Sequence, residues 1–245
     1  MKKIMVNSRD YEGTKTLEVL SNAENYNRFV LALMSNYLSP ASVVLDYGAG
    51  DGTFASLVSP LVKEIHALEP DPFLRSKIEQ RPGVSHVLDL DSSSRKYSLI
   101  FLINVLEHIE DDTSLLQQMV SSLNDAARIF LYVPASPALF SDFDRSVGHF
   151  RRYTRDSLRS TIRAAGLEIE KIEYVDPLGW LAAWTHKALR MNPQITRRQV
   201  WFYDRIIFPI SRGLNGLFKD TFGKNLVAVV KVRSQPGNLN ELSES

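Results

Sequence analysis

The sequence has no cysteine among its 245 residues. Disulfide bonds, thiolate zinc sites and cysteine nucleophiles are therefore excluded. No apolar run reaches the roughly 18 residues of a membrane span, and residues 1–13 lack the apolar segment of a secretory signal. An excess of one charge is also missing, because the formal net charge is +1, too small to attract nucleic acid. We expect a cytoplasmic protein that does not bind nucleic acid.

The composition is that of an ordinary soluble protein, with 44% hydrophobic and 23% charged residues. A chain of this length is long enough for one large domain. We predict a single domain over residues 1–233, which begins with a helical cap over residues 1–40. Residues 234–245 contain Gly, Asn, Ser and Glu and no aromatic residue, which predicts a disordered tail.

Short apolar runs alternate with helical patterns along most of the chain. Predicted helices separate five predicted strands, which cover residues 42–48, 64–70, 84–90, 97–103 and 128–134. This alternation indicates the α/β class with a doubly wound, mostly parallel sheet. A helix capped by Thr154, a strand over 167–175, two helical segments near 178–190 and 196–218, and a last strand over 225–232 follow.

The turn after the first predicted strand reads DYGAGDGT. Gly48, Gly50 and Gly52 allow the backbone to approach a ligand closely. A dinucleotide fingerprint would have a glycine at position 53, where this chain has threonine. Asp46 would repel a pyrophosphate but can pair with an ammonium group. The turn therefore favours a ligand with an amino-acid end.

Two further acids follow the next two predicted strands. Glu69 is positioned to accept hydrogen bonds from both hydroxyls of a ribose, and Asp89 is positioned for the exocyclic amine of adenine. Alternatively, Glu69 is a solvated loop acid, and Asp89 is a turn residue beside Asp91. Three carboxylates at successive strand ends nevertheless suit one nucleoside that carries an amino-acid tail.

Four segments, VLDYGAGDGTF, ALEPD, VLDLD and INVLEHIED, together resemble the class I S-adenosylmethionine (SAM) dependent methyltransferases, in particular the type 11/12 group. They cover about residues 42–134. The resemblance implies a Rossmann-like sheet with an antiparallel last strand, SAM as the cofactor and S-adenosylhomocysteine as the product. It implies cofactor contacts at Asp46, Gly48, Ala49, Gly50, Glu69, Pro70, Asp89, Leu90, Asn104 and Val105. For Asn104 the alternative is a strand-end cap.

Methyl transfer from a sulfonium needs alignment of the acceptor and exclusion of water, and a proton-bearing acceptor also needs a base. His108 after the fourth strand and His149 in the loop after the fifth are the candidate catalytic residues. The same loop has residues for the substrate, namely Arg151, Arg152 and Tyr153. Alternatively, His108 is a helix-cap residue, and the arginines form ion pairs with aspartates that only fix a lid. No metal-ligand spacing is evident, so no metal is predicted.

Residues 135–220 are expected to form the substrate-side loop and helices. Within them, Arg198, Arg205, Arg212 and Lys219 recur every seven residues beside an apolar arc, with a bend near Pro209. Such a basic amphipathic helix over 197–219 fits peripheral contact with an anionic membrane. The alternatives are packing on the domain and homodimer formation.

The sequence therefore predicts a SAM-dependent methyltransferase that acts on a small-molecule or lipid-like acceptor, in the cytoplasm or at a membrane. The stretch NVLE stands where DNA amino-methyltransferases have NPPY or DPPY, which argues against nucleic-acid acceptors. The alternatives are a nucleotide-dependent oxidoreductase and a SAM-binding protein without catalysis. Titration with SAM and with NADH distinguishes a methyltransferase from an oxidoreductase, and turnover distinguishes it from a SAM-binding protein without catalysis.

Overall fold

A computed structural model describes residues 21–90, 95–189 and 196–232. Seven strands form one sheet in the order β3-β2-β1-β4-β5-β7-β6. The strands are β1 (Val43–Tyr47), β2 (Glu64–Leu68), β3 (Ser85–Val87), β4 (Tyr97–Ile103), β5 (Leu123–Pro134), β6 (Leu167–Val175) and β7 (Asn225–Val232). Strand β7 is antiparallel to both of its neighbours, and the pairs among β1 to β5 are parallel. The predicted fold class is confirmed.

Helices connect the strands and cover both faces of the sheet. They are α1 (Glu24–Met34), α2 (Thr53–Val58), α3 (Pro72–Ile78), α4 (Asp112–Val120), α5 (Asp142–Ser146), α6 (Arg155–Ala164), α7 (Pro177–Ala188), α8 (Arg197–Phe202) and α9 (Phe208–Phe218). Of the described residues, no helix is long and apolar enough to cross a membrane.

Two apolar cores lie on opposite faces of the sheet. Neighbouring residues of a strand point to opposite faces, so Leu45 joins one core and Val44 the other. The first core includes Leu116 of α4 and Leu158 of α6. The second contains residues of α1 and α2 together with Phe208 of α9. Burial on both faces explains why the central strands are continuous apolar runs.

Some predicted boundaries differ from the structure. The predicted helix over 112–123 ends at Val120, because Tyr97 donates a backbone hydrogen bond to Ser122 and Leu123 pairs with Tyr97 as β5 begins. Strand β3 covers only Ser85–Val87 of the predicted 84–90. Asp89 therefore lies beyond the strand, in an exposed irregular segment.

The predicted helix over 196–218 contains one π-helical turn, Tyr203–Ile207, between α8 and α9. Pro209 explains its position, because proline has no N–H to donate and its ring clashes with the carbonyl four residues earlier. That carbonyl belongs to Arg205, inside the wider turn. The predicted tail 234–245 and residues 1–20 of the predicted helical cap lie outside the described residues.

Candidate active site

The glycine-rich turn joins β1 to α2 at the carboxyl edge of the sheet. Gly48, Gly50 and Gly52 have φ values of +75°, +57° and +78°, which side chains disfavour. A Cβ atom on Gly48 would also lie 2.6 Å from a methyl carbon of Val105. Gly48 and Ala49 donate backbone hydrogen bonds to Leu68 of β2, at 2.8 and 3.1 Å. The turn is therefore packed between the ends of β2 and β4, where the winding of the sheet reverses and ligands bind.

Asp46 lies beneath this turn with a side chain that is almost fully buried. Its Oδ2 atom is buried and has no hydrogen-bond partner in residues 21–90, 95–189 and 196–232. Burial raises the pKa of this carboxyl well above its usual range, the Ala55 backbone amide opposes that shift, and the nearby Glu69 and Asp51 carboxylates add to it. A buried acceptor without a donor calls for an explanation. An ammonium group at the turn would supply the missing donor, which fits the amino-acid end of SAM.

Glu69 follows β2 and is also buried. Its Oε2 accepts a hydrogen bond from the Gly50 amide at 2.8 Å, and its Oε1 accepts one from the Asp71 amide at 2.9 Å. Burial raises the pKa of this carboxyl, although both amide bonds oppose the shift. Because a carboxylate has about four acceptor sites, two remain for hydroxyl groups. Glu69 therefore fits a ribose while it holds the glycine turn in place.

The N-terminus of α2 carries a carboxylate where a dinucleotide enzyme would bind pyrophosphate. Asp51 Oδ1 accepts hydrogen bonds from the amide and hydroxyl of Thr53, at 3.1 and 2.6 Å. Arg81 pairs with its Oδ2 at 3.1 Å. A negative charge that occupies the first free amide of the helix opposes phosphate binding there. The arrangement does not favour the oxidoreductase alternative.

The other residues implied for the cofactor lie around the same edge. Asp89 is exposed and Leu90 packs on the first core. Pro70 accepts a hydrogen bond from Arg75 at its carbonyl, at 3.2 Å. Asn104 has φ of +53°, and its amide donates to Tyr132 of β5 at 2.8 Å. This backbone conformation turns the chain at the end of β4 and brings Val105 against Gly48. The contact of Asn104 with the cofactor stays a prediction.

The two candidate catalytic histidines meet beside this crevice. The rings of His108 and His149 lie edge to face with centroids 4.6 Å apart. Burial, with the nearby His149 ring, lowers the pKa of His108 to about 4. His149 Nδ1 lies 2.9 Å from Asp144 Oδ1, and its Nε2 lies 3.7 Å from Glu107 Oε1. The histidines therefore form one cluster with two acids.

Glu107 is fully buried, and within the described part of the chain neither of its carboxyl oxygens has a hydrogen-bond partner. Burial raises the pKa of this carboxyl to about 8, although the backbone amide of Glu107 itself and then the Arg152 guanidinium lower it. The sequence interpretation did not single out Glu107. The available signal was an acid in the otherwise apolar stretch NVLEHI, directly after a buried strand.

The predicted substrate residues are engaged with acids of the protein itself. Arg152 donates from Nε to Asp144 at 2.7 Å, and Arg151 donates from Nη1 to Asp112 at 3.0 Å. Burial alone would raise the pKa of the Asp144 carboxyl. The hydrogen bond with His149 and the Arg152 guanidinium outweigh burial and hold this pKa at about 2. This agrees with the ion-pair alternative for the two arginines, whose role toward a substrate stays a prediction.

Tyr153 is buried in the first core, away from the crevice surface. Its hydroxyl lies 2.8 Å from Asp112 Oδ2 and 3.2 Å from the Leu106 carbonyl. A hydroxyl engaged with two internal acceptors joins the loop after β5 to the end of β4. The predicted contact of Tyr153 with a substrate stays a prediction.

Comparison with known proteins adds a family and a fold. The family model described as methyltransferase domain matches residues 20–172, well over half of the chain. No curated protein matches the sequence. A SAM-dependent methyltransferase structure from Archaeoglobus fulgidus has a TM-score of 0.58 and 17% identity, with 86% of this chain and 94% of that chain covered.

Two bacterial structures are similar to a comparable degree. A SAM-dependent methyltransferase from Clostridium acetobutylicum has a TM-score of 0.54 and 13% identity, with coverage of 87% of this chain and 93% of its own. The YcgJ protein from Bacillus subtilis has a TM-score of 0.53 and 15% identity, with coverage of 84% and 100%. At these identities the likeness establishes a common fold.

Proposed function

This chain belongs to the methyltransferase domain family and is a class I SAM-dependent methyltransferase, and from that premise we propose that its acceptor is a small apolar or lipid-like molecule. The acceptor would enter beside the loop after β5, where it meets the crevice that holds the cofactor. The observation that carries this proposal is the apolar surface of the helices attached to that loop.

Helix α7 is joined to the loop after β5 by two hydrogen bonds. Trp180 Nε1 donates to Ser136 Oγ at 3.1 Å, and Lys187 Nζ donates to the Ala138 carbonyl at 2.6 Å. Helix α7 also packs on α9. Large apolar side chains of this helical group are exposed, and we call them the apolar patch: Leu181, Trp184, Leu189, Trp201, Phe202, Ile206, Ile210 and Leu217.

Contiguous exposed apolar side chains mark surfaces that bind another apolar body, and the exposed Phe202, Ile206 and Ile210 recur every four residues along one helix face. Its position on helices attached to the loop at the active-site edge favours an apolar acceptor. For the cofactor, we propose that the unpartnered Asp46 carboxyl meets the ammonium group and that Glu69 meets the ribose. His108 and His149 are then the groups nearest to the polar end of the acceptor.

A partition assay tests the acceptor class. The protein is incubated with SAM labelled in its methyl group, once with a lipid extract and once with a polar metabolite extract, and label is counted in each product. We expect label in the lipid products and S-adenosylhomocysteine in equal amount. Label confined to polar products would contradict the apolar acceptor and leave the methyltransferase assignment intact. No transfer to any acceptor would support the non-catalytic alternative.

Glu69→Ala tests the cofactor site, and Glu79→Ala is its control. Loss of a hydrogen bond to a charged group costs about 1.5–3 kcal/mol, so we expect SAM binding, measured by calorimetry, to weaken by about tenfold to a hundredfold. Glu79→Ala, at an exposed acid on the C-terminal end of α3, should bind SAM as the wild type does. Equal affinity of Glu69→Ala and wild type would remove Glu69 from the proposed site.

A further inference from the structure

Three side chains with metal-binding atoms converge beside the crevice, namely Glu107, His108 and His149. One ligand atom from each lies within 4.8 Å of the others. Glu107 and His108 belong to the short turn after β4, and His149 follows α5. The Phe150 amide donates to the Glu107 carbonyl at 2.8 Å. The two segments are therefore fixed against each other by the backbone as well as by the side chains.

Glu107 supplies the observation that points to a ligand. Its carboxyl is fully buried, neither oxygen has a hydrogen-bond partner among the residues that the structure describes, and the His149 Nε2 at 3.7 Å is beyond hydrogen-bond distance. A buried carboxyl group without donors is costly and rarely left unexplained. A cation between Glu107 and the two imidazole rings would provide the positively charged partner that the carboxyl group lacks.

The surroundings of His149 match those of a metal ligand. His149 Nδ1 is within 2.9 Å of Asp144 Oδ1, which leaves Nε2 free toward Glu107. Asp144 is itself held by Arg152 and by the amide of Ser141, at 2.7 and 2.9 Å. The His108 ring lies edge to face against the His149 ring, with the centroids 4.6 Å apart. Ligating histidines usually donate their second N–H to a carboxylate or carbonyl, as His149 Nδ1 can to Asp144, which fixes the ring.

We propose that Glu107, His108 and His149 bind one divalent first-row transition metal ion. Two imidazoles and one carboxylate suit Zn²⁺, Mn²⁺, Fe²⁺ or Co²⁺, and three protein ligands leave at least one position open. The expectation of no metal came from local spacing, which does not detect ligands from two separate segments.

The part of the inference that concerns catalysis rests on the proposed function. An acceptor hydroxyl oxygen in the open position would bind the ion, and the ion would lower the pKa of that hydroxyl. In that case His149 Nε2 is a ligand and does not act as the base. The hydroxyl proton would pass to solvent water, and the oxygen would take the methyl group from the sulfonium as SAM becomes S-adenosylhomocysteine. Metal binding itself requires no acceptor and is tested without turnover.

Cobalt titration of the metal-free protein is the direct test. After dialysis against a chelator, Co²⁺ is added and the visible absorption of coordinated Co²⁺ is followed. We expect saturation at one equivalent with the wild type. Glu107→Gln keeps the shape of the side chain and should weaken binding by at least tenfold. His186→Gln, at a histidine of α7 outside the cluster, should bind as the wild type does.

Asp144→Asn tests the hydrogen bond that orients the His149 ring. Loss of such a partner typically weakens metal affinity by about 10–100-fold, while the three ligands stay in place.

Thermal unfolding gives a second measurement of metal binding. Since ligand binding stabilises the folded state, Zn²⁺ or Mn²⁺ should raise the Tm of the wild type and not that of Glu107→Gln. If Glu107→Gln does not fold, His108→Gln takes its place in both measurements.

Three results would overturn the proposal: no saturable Co²⁺ spectrum, equal binding by wild type and Glu107→Gln, or equal loss in His186→Gln. Methyl transfer that persists in metal-free protein would instead leave His149 as the base. Calorimetry with SAM is run on every variant, because intact SAM binding without metal binding separates failure of this inference from failure of the proposed function.

Discussion

Asp46 has a buried carboxyl oxygen that no donor reaches. Asp46→Asn keeps the shape of the side chain but cannot ionise. Burial, together with Glu69 and Asp51, raises the folded-state pKa of Asp46 above its ordinary value, so the wild type loses stability as the pH rises through that raised pKa. We expect Asp46→Asn to gain stability over the wild type with rising pH, by about 1.4 kcal/mol per unit of pKa shift.

Urea unfolding at a series of pH values from about 4, the ordinary range of an aspartate, up to 8 measures this difference. The two proteins should be closest in stability at the acid end and furthest apart at the basic end. SAM binding by Asp46→Asn should be weaker than that of the wild type, because the ammonium partner is lost. A constant difference in stability across the whole pH range would show that Asp46 does not titrate as described.

Gly48 is required for two separable reasons. Its φ is +75°, and a Cβ atom there would lie 2.6 Å from one Val105 methyl carbon and 2.8 Å from the other. We expect Gly48→Ala to destabilise the protein by about 1–2 kcal/mol from backbone strain and about 1–3 kcal/mol from overpacking. Thermal unfolding of the two single variants and of Gly48→Ala with Val105→Ala gives the coupling energy.

The double variant should recover the overpacking part only, because the truncated Val105 leaves the backbone strain in place. A coupling energy near zero would mean that the turn moves away from β4 rather than clashing with it.

At the scale of elements, α1 is capped by a residue from the other end of the chain. Ala23 precedes the helix and has no side-chain acceptor. Asp204, in the π-helical turn, accepts hydrogen bonds from the amides of Asn25 and Tyr26 at 3.1 and 2.9 Å. The π-helical turn thus places a buried carboxylate at the N-terminus of α1, where negative charge is favourable.

Asp204→Ala should therefore lower the free energy of unfolding by about 1–2 kcal/mol, the usual effect of losing a helix N-cap. Chemical denaturation followed by circular dichroism measures it. Asp142→Ala, at an exposed aspartate of α5 with an i,i+3 ion pair, is the control and should change stability by less than about 0.5 kcal/mol. Equal effects at the two positions would argue against the cap.

At the scale of the whole molecule, the apolar patch and the basic residues of α8 and α9 occupy one helical group. Arg198, Arg205 and Arg212 are exposed, and Arg205 lies 3.7 Å from Glu24. Although the formal net charge of the whole chain is only +1, positive charge is concentrated along residues 198–212. Apolar side chains beside cationic ones are typical of helices that lie on anionic membranes.

Co-sedimentation with vesicles of phosphatidylglycerol and phosphatidylcholine checks this expectation. Trp201→Ser with Ile210→Ser should reduce vesicle binding about tenfold or more, because each exposed large side chain contributes on the order of 1 kcal/mol when partly buried. Leu61→Ser, at an exposed apolar residue after α2, should have no effect. Binding should also fall with salt.

Sedimentation of the protein without vesicles tests the alternative that the apolar patch forms a homodimer. A concentration-dependent dimer of the wild type that the double variant abolishes, together with no vesicle binding, would assign the apolar patch to a second copy.

The sequence by itself determined the features that depend on neighbours along the chain. Periodicity predicted the strands and helices because each period is set by backbone geometry. The GxGxG turn with Asp46 before it and Glu69 at the next strand end predicted the cofactor edge, because parallel strands end on one side of a sheet. The bounds of β4 and β7 agree with the residues predicted for them.

Only the tertiary structure decided what depends on distant segments. Asp204 caps α1, Arg151 and Arg152 meet Asp112 and Asp144, and Glu107 joins two histidines. The Asp204 cap and the Glu107 cluster have no spacing signal, because each forms between segments that are far apart in the chain. Arg152 and Asp144 lie in one loop, and the sequence offered their ion pair only as an alternative. Short-range pattern fixes an element, whereas burial and charge pairing between elements fix which side chains share a site.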